Sequence, residues 1–190
     1  MSDKFHRLTL GGLVRDLPIL RLQPQADSAA LLPSDGVSIA FFNILGDNEL
    51  TDTAAAMLAP LLPECDFLVT AETKGIPIAA QLARVLDIPQ YIVLRKTVKP
   101  YMVEPMTEEV YSITTQSKQI LAFDAGDAAL IANSRIIIID DVISTGNSLA
   151  AIERIVKRCG GKVVAKAAIL AEGDAAVRDD IVFLEKLPLF

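Results

Sequence analysis

Two adjacent carboxylates, Asp140 and Asp141, stand just ahead of a run of small hydroxyl and amide residues, Ser144-Thr145-Gly146-Asn147-Ser148. Four consecutive isoleucines, 136–139, lead into the carboxylates. A greasy strand that ends in a turn and then a helix puts that turn at a helix N-terminus. Unpaired backbone N–H groups and the helix dipole favour an anion there. Gly146 lets the backbone come close to such an anion, and the short side chains around it add donors without filling the space. This is chemistry for holding a phosphate monoester. The carboxylates would repel the same phosphate, so they must face something neutral or cationic beside it. The vicinal hydroxyls of a ribose are donors that a carboxylate accepts from, and a magnesium ion would also suit. The stretch therefore reads as a clamp for a ribose 5-phosphate.

The elements around it set the clamp in place. "RIIIID" (135–140) is a continuous apolar run of strand length, as expected for a strand covered on both faces of a parallel sheet. Leu149, Ile152, Ile155, Val156 and Cys159 then recur at helical spacing. Lys157 and Arg158 suit the negative end of that helix, and Gly160-Gly161 ends it. Upstream, strands are expected at 37–44, 66–71 and 90–96, with helices over 49–62, opened by Asp47 and Asn48, and over 75–87. Downstream, strands are expected at 162–170 and 180–187. Segment 97–134 is the least regular, with "VYSITTQ" and "QILAFD" as arms of an extended hairpin. The first 35 residues, with prolines at 18, 24 and 33, read as an irregular cap. Strands alternating with helices give an α/β fold in one domain, a central mostly parallel sheet flanked by helices.

Composition excludes several classes. The net charge of −6 argues against a general nucleic-acid binder, which carries a basic stripe. More than half of the chain is apolar, yet no uninterrupted apolar run approaches the roughly 18–20 residues needed to span a bilayer. No signal peptide is evident in "MSDKFHRLTLGG", so a cytoplasmic protein without membrane contact is expected. Cys65 and Cys159 lie far apart and outside any metal-ligand spacing, so reduced thiols are expected. His6 is the only histidine and sits near the terminus, so acid–base chemistry must rest on other groups.

"IIIIDDVISTGNSL" resembles the signature of the type I phosphoribosyltransferases, which bind 5-phosphoribosyl-1-pyrophosphate (PRPP). The resemblance implies that family's fold, with a small N-terminal hood (1–36) and a mobile loop (97–120). It also implies that a pyrophosphate must be held. Thr73, Lys74 and Gly75 in "AETKGIP" form a second anion nest, and "LRKTVKP" supplies Arg95, Lys96 and Lys99. In an acidic chain these cations concentrate positive potential locally. Both segments are similar to E-x-R-G-F and R-K-x-x-K-L-P of the adenine phosphoribosyltransferases, with Lys74 where that family has Arg. "GGLVRDLPIL" is similar to their G-I-L-F-R-D-I, which places Leu13, Val14 and Arg15 at the base, Val14 against the ring in place of a phenylalanine.

One departure concerns the loop. After Tyr111-Ser112-Ile113 the adenine enzymes carry an acidic–aromatic pair, where this chain has Thr114-Thr115. A threonine cannot carry a proton as a carboxylate does. "VYSITTQ" and the ending "IVFLEKLPLF" look closer to bacterial xanthine phosphoribosyltransferases. The resemblance thus implies purine salvage, the phosphoribosyl group passing from PRPP to a purine, with adenine as the leading base, Mg²⁺ as cofactor and a homodimer as the working form. Xanthine or another 6-oxopurine is the alternative base. A non-catalytic PRPP-sensing regulator is the alternative of another class.

Overall fold

The computed structural model describes residues 5–23, 35–112 and 117–190, without the side chains of 111, 112, 117 and 118. Its centre is a five-stranded sheet in the order β10-β9-β8-β4-β5. The strands are β4 (Phe67–Ala71), β5 (Ile92–Leu94), β8 (Arg135–Ile143), β9 (Lys162–Glu172) and β10 (Val182–Leu187), and every pairing is parallel. The isoleucine run explains itself here. Strand side chains alternate between faces. Ile137 and Ile139 enter one core with Leu50, Leu58, Ile78 and Leu82, and Ile136 and Ile138 enter the other with Leu149, Ile152 and Ile155.

Helices α1 (Asn48–Leu58) and α2 (Gly75–Val85) supply the first core. Helices α3 (Ala125–Ile131) and α4 (Asn147–Arg158) supply the second. Asp47 caps α1 by accepting from the Leu50 amide, and the helix gives way at Leu58 to a 3-10 turn, Ala59–Leu61, where Pro60 removes a donor. Helix α3 lies inside the stretch expected to be irregular. Its capping box, Asp124 with Asp127, opens only two turns, too short for a periodic apolar pattern to stand out.

The N-terminal segment differs from the irregular cap expected of it. β1 (Phe5–Leu10) and β2 (Leu13–Leu22) form a hairpin through Gly11-Gly12, both at positive φ. A two-residue glycine turn matches the right-handed twist of its flanking strands. Pro18 does not break the hairpin because it stands opposite Phe5, where the β1 ladder ends. β3 (Val37–Ala40) completes this hood against β2. The chain's last residues close on β3: the Ser38 amide donates to the Phe190 carbonyl at 3.0 Å and the Phe190 amide to the Ser38 carbonyl at 2.9 Å. β6 (Met106–Ser112) and β7 (Ser117–Phe123) form the expected hairpin, joined to the end of β5 by reciprocal Arg95–Ala122 backbone bonds.

Candidate active site

The carboxyl ends of β4, β8 and β9 open into one cavity of about 410 Å³. Ligands of open α/β sheets bind at this edge. β8 runs three residues beyond its expected end, so Asp141 lies within the strand together with Asp140, and Val142 and Ile143 continue it. Both line the cavity, and Asp141 is only 5% exposed. Burial first, and then the neighbouring Asp141 charge, push the Asp140 carboxyl well above the usual carboxylate range. Its Oδ1 accepts from the Asp141 amide at 2.9 Å.

Residues 144–148 also line the cavity. Gly146 is the N-cap of α4, at φ 77° and ψ 9°. Left-handed backbone of this kind favours glycine, and a glycine cap brings no side chain to the first-turn amides. The outer side of the turn is covered: a Cβ on Gly146 would lie 2.5 Å from Arg178 Nη1. Arg178 is itself held to Asp180, through Nε at 2.8 Å and Nη2 at 2.7 Å.

Lys74 reaches the aspartates from the end of β4. Its Nζ lies 2.6 Å from Asp141 Oδ2 and donates to the Phe42 carbonyl at 3.1 Å, 5.8 Å from the Phe41 ring centroid. The ammonium thereby ties strand β8 to the hood side of the cavity. Thr73 lines the cavity beside it, and the Glu72–Thr73 peptide is cis. Gly75 opens α2 against Asp140. A Cβ there would collide with Thr70 Oγ1 and lie 2.9 Å from Asp140 Oδ1.

The three cations after β5 separate. Lys96 lines the cavity, and its amide donates to Glu72 Oε2 at 2.7 Å. Arg95 Nε is 2.8 Å from Glu72 Oε1, an ion pair without hydrogen-bond alignment. Lys99 lies further along the loop, its amide 3.4 Å from Met102 Sδ. The hood residues also separate. Leu13, Val14 and Arg15 stand on β2 away from the cavity lining. Val14 is 49% exposed, and Arg15 is bound to Asp47 at 2.7 and 3.0 Å and to Glu49 at 2.9 Å. The apolar wall comes instead from Leu22, Ile39, Ala40, Phe41, Phe42 and Leu187. Tyr111 lies on β6 opposite Lys118, and Thr114 and Thr115 fall outside the described residues.

Glu172, the last residue of β9, is a cavity residue that the sequence analysis did not single out. It is 9% exposed, and burial pushes its carboxyl up, against the Ser144 hydroxyl and the Lys74 charge, which favour the ionised form. The signal was present: "KVVAKAAILAE" repeats the pattern of "RIIIID", an apolar strand ending on a carboxylate.

The Lys74–Asp141 pair makes a testable element of the site. Lys74→Met removes the charge from a carboxylate that is almost wholly covered, and such a carboxylate is costly to leave unpaired. Lys74 is itself one-third exposed, which softens the loss. A cost of about 1–2 kcal/mol is expected, a fall in Tm of roughly 3–6 °C. Thermal unfolding at neutral pH reads it, and Lys74→Arg should recover most of the loss.

Residues 55–187 match the sequence profile of the phosphoribosyl transferase domain. The chain is 31% identical over 153 residues to a hypoxanthine/guanine phosphoribosyltransferase of Methanococcus voltae, covering 80% of this chain and 71% of that one. It is 32% identical over 140 residues to the protein of the same name from Methanococcus vannielii, covering 74% and 69%. Among solved structures, adenine phosphoribosyltransferase from Thermoanaerobacter pseudethanolicus superposes with a TM-score of 0.66 at 21% identity, over 88% of this chain and 95% of that one. The adenine phosphoribosyltransferase from Rhodothermus marinus gives 0.62 at 23%, over 89% and 94%. At those identities the structural likeness speaks to the fold alone.

Proposed function

Since the chain belongs to the phosphoribosyl transferase domain family, we propose that it transfers the 5-phosphoribosyl group of PRPP to a purine, adenine before the others, releasing pyrophosphate. The observation that carries this is the meeting, in one cavity, of the 144–148 turn, the Asp140–Asp141 pair, Lys74 and an apolar hood wall. The 5-phosphate sits on the turn before α4. The ribose diol faces the aspartates, whose charge favours the positive character that develops at the anomeric carbon as pyrophosphate leaves. Thr73, Lys74 and Lys96 receive the pyrophosphate from the cavity wall, with Gly75, Arg95 and Lys99, which stand outside that lining, completing the group. The loop expected at 97–120, of which 113–116 lie outside the described residues, would serve to exclude water, which otherwise competes with the purine nitrogen. Most of the acceleration then comes from position and fixed charge.

Magnesium fits this site as a partner of the substrate. Among the described residues no group of three or more His, Cys, Asp or Glu is arranged to hold a metal ion. Two adjacent carboxylates are hard oxygen ligands that suit a magnesium ion. Asp140 and Asp141 would hold it, and when bound it would supply neutralisation of the leaving pyrophosphate. A homodimer in the cytoplasm belongs to the same reading.

A 6-oxopurine as the base is the second reading, and the hypoxanthine/guanine names of the curated relatives favour it. The test is the purified protein with PRPP, Mg²⁺ and adenine, hypoxanthine, guanine or xanthine in turn, followed by nucleotide mass and pyrophosphate release. Adenine nucleotide as the major product is expected. Another base turned over best would move the specificity to that base. PRPP binding without turnover of any base would overturn the transferase and favour a PRPP sensor.

A further inference from the structure

The cavity has two unlike halves. One holds Lys74, Asp140, Asp141 and the turn before α4; the other is walled by Leu22, Ile39, Phe41, Phe42 and Leu187. A flat heterocycle suits the apolar half, where a few polar groups fix its orientation. Glu172 stands at the boundary. Its strand partner on β10 is Leu187, and the Ser144 hydroxyl at the start of the phosphate turn donates to it. Leu189, two residues past Leu187, bridges to Ile39 of the hood, which closes this side of the cavity.

On the reading proposed above, we infer that Glu172 recognises the incoming base and selects purines that carry an exocyclic amine, adenine or guanine, over hypoxanthine and xanthine. Carboxyl groups are rarely covered to this degree without a partner, and an ionised carboxylate only accepts hydrogen bonds. Among the described residues one hydroxyl, that of Ser144, donates to Glu172, and it uses a fraction of the acceptor capacity of two oxygens. The remainder calls for N–H donors from the ligand. An amino group at the 6-position of adenine, or the N1–H and 2-amino fork of guanine, supplies them. Xanthine presents carbonyls at both the 2- and 6-positions, and a carbonyl lone pair against a carboxylate is repelled. Sites built to bond a polar group discriminate strongly against analogues lacking it, because the buried partner is then left unpaired.

The test compares the protein with its Glu172→Gln variant. kcat/KM is measured for the four bases at saturating PRPP and Mg²⁺, the PRPP Kd by calorimetry, and base retention by equilibrium dialysis with ribose 5-phosphate and Mg²⁺ present. An aminopurine is expected to be used best. In Glu172→Gln its kcat/KM should fall about 10- to 100-fold, the gap to hypoxanthine should narrow, and the PRPP Kd should stay within about twofold. A purely structural role acting through Ser144 would instead weaken PRPP. Unchanged base ranking in the variant, or a natural preference for xanthine or hypoxanthine, would overturn the inference. If PRPP binds but no base is turned over, the transferase reading falls and dialysis decides separately: aminopurine retained by the natural protein and lost by the variant supports Glu172, whereas equal retention, or none, overturns it. Should Glu172→Gln fail to fold, Glu172→Asp draws the carboxylate back by one methylene and should lower aminopurine use in the same direction.

Discussion

The double variant Asp140→Asn, Asp141→Asn is expected to lose at least about a thousand-fold in kcat/KM while remaining folded. Under the proposed function each aspartate holds the sugar and faces positive charge developing on it, and single fixed electrostatic partners of that kind are each worth roughly 10²- to 10³-fold. Stability should move the other way in the single Asp140→Asn protein. Burial and the Asp141 charge raise the affinity of Asp140 for its proton in the fold. The folded chain therefore holds a proton that the unfolded chain releases across the window from the ordinary carboxyl range up to the raised folded value. In that window stability falls as pH rises. Asparagine removes this dependence and can still accept from the Asp141 amide through its side-chain oxygen. At pH 7–8 without magnesium, Asp140→Asn is expected to melt at a higher temperature than the natural protein, with the difference shrinking as pH is lowered. Thermal melts across pH, beside steady-state rates, check both halves. A variant that is less stable than the natural protein at every pH would contradict the placement of Asp140.

Gly75→Ala is expected to damage both the fold and the site, although it adds only one methyl group. The methyl would enter the space of Thr70 Oγ1 and lie 2.9 Å from Asp140 Oδ1 and 3.4 Å from Asp140 Cα. Thr70 and the Asp140 backbone belong to neighbouring parallel strands, so neither can swing aside as a surface side chain would. The N-terminus of α2 must withdraw, carrying Lys74 from Asp141. Overpacking of this kind costs about 1–3 kcal/mol. A misplacement of about 1 Å at a reacting centre costs about 10²-fold in rate. A fall in Tm of roughly 3–9 °C and a rate loss of that order should appear together. Intact activity would show that α2 has room to shift without disturbing the site. Alanine ordinarily stabilises a helix relative to glycine, so the sign of the effect separates the close approach from propensity.

Much of this architecture is legible without coordinates because it is local. The run 136–139, the carboxylates behind it and the small residues 144–148 are consecutive, and the strand, turn and helix they form obey short-range periodicities. The α1 cap at Asp47 and the α4 face follow from the same rules. Where the reading failed locally, the cause was also local. Prolines near the N-terminus outweighed the Gly11-Gly12 turn, and the seven residues of α3 were too few to show a period.

By itself, then, the sequence determined the α/β alternation, the turn that opens α4 and the residue types gathered at the end of β8. Only the tertiary structure decided which distant groups meet there. Lys74 and Asp141 stand 67 positions apart and come to 2.6 Å because β4 and β8 are neighbours in the sheet. The order β10-β9-β8-β4-β5 brings Glu172 beside the turn before α4 and sets Leu187 and the hood across from it. The hairpin and α1 claim Arg15 for Asp47 and leave the cavity wall to Ile39, Phe41 and Phe42. Strand order and hood docking are set by which apolar faces bury each other, a sum over many weak contacts spread along the chain. No short window of residues contains that sum, and so the partners of Lys74, Arg15 and Glu172 could be seen only once the chain had folded.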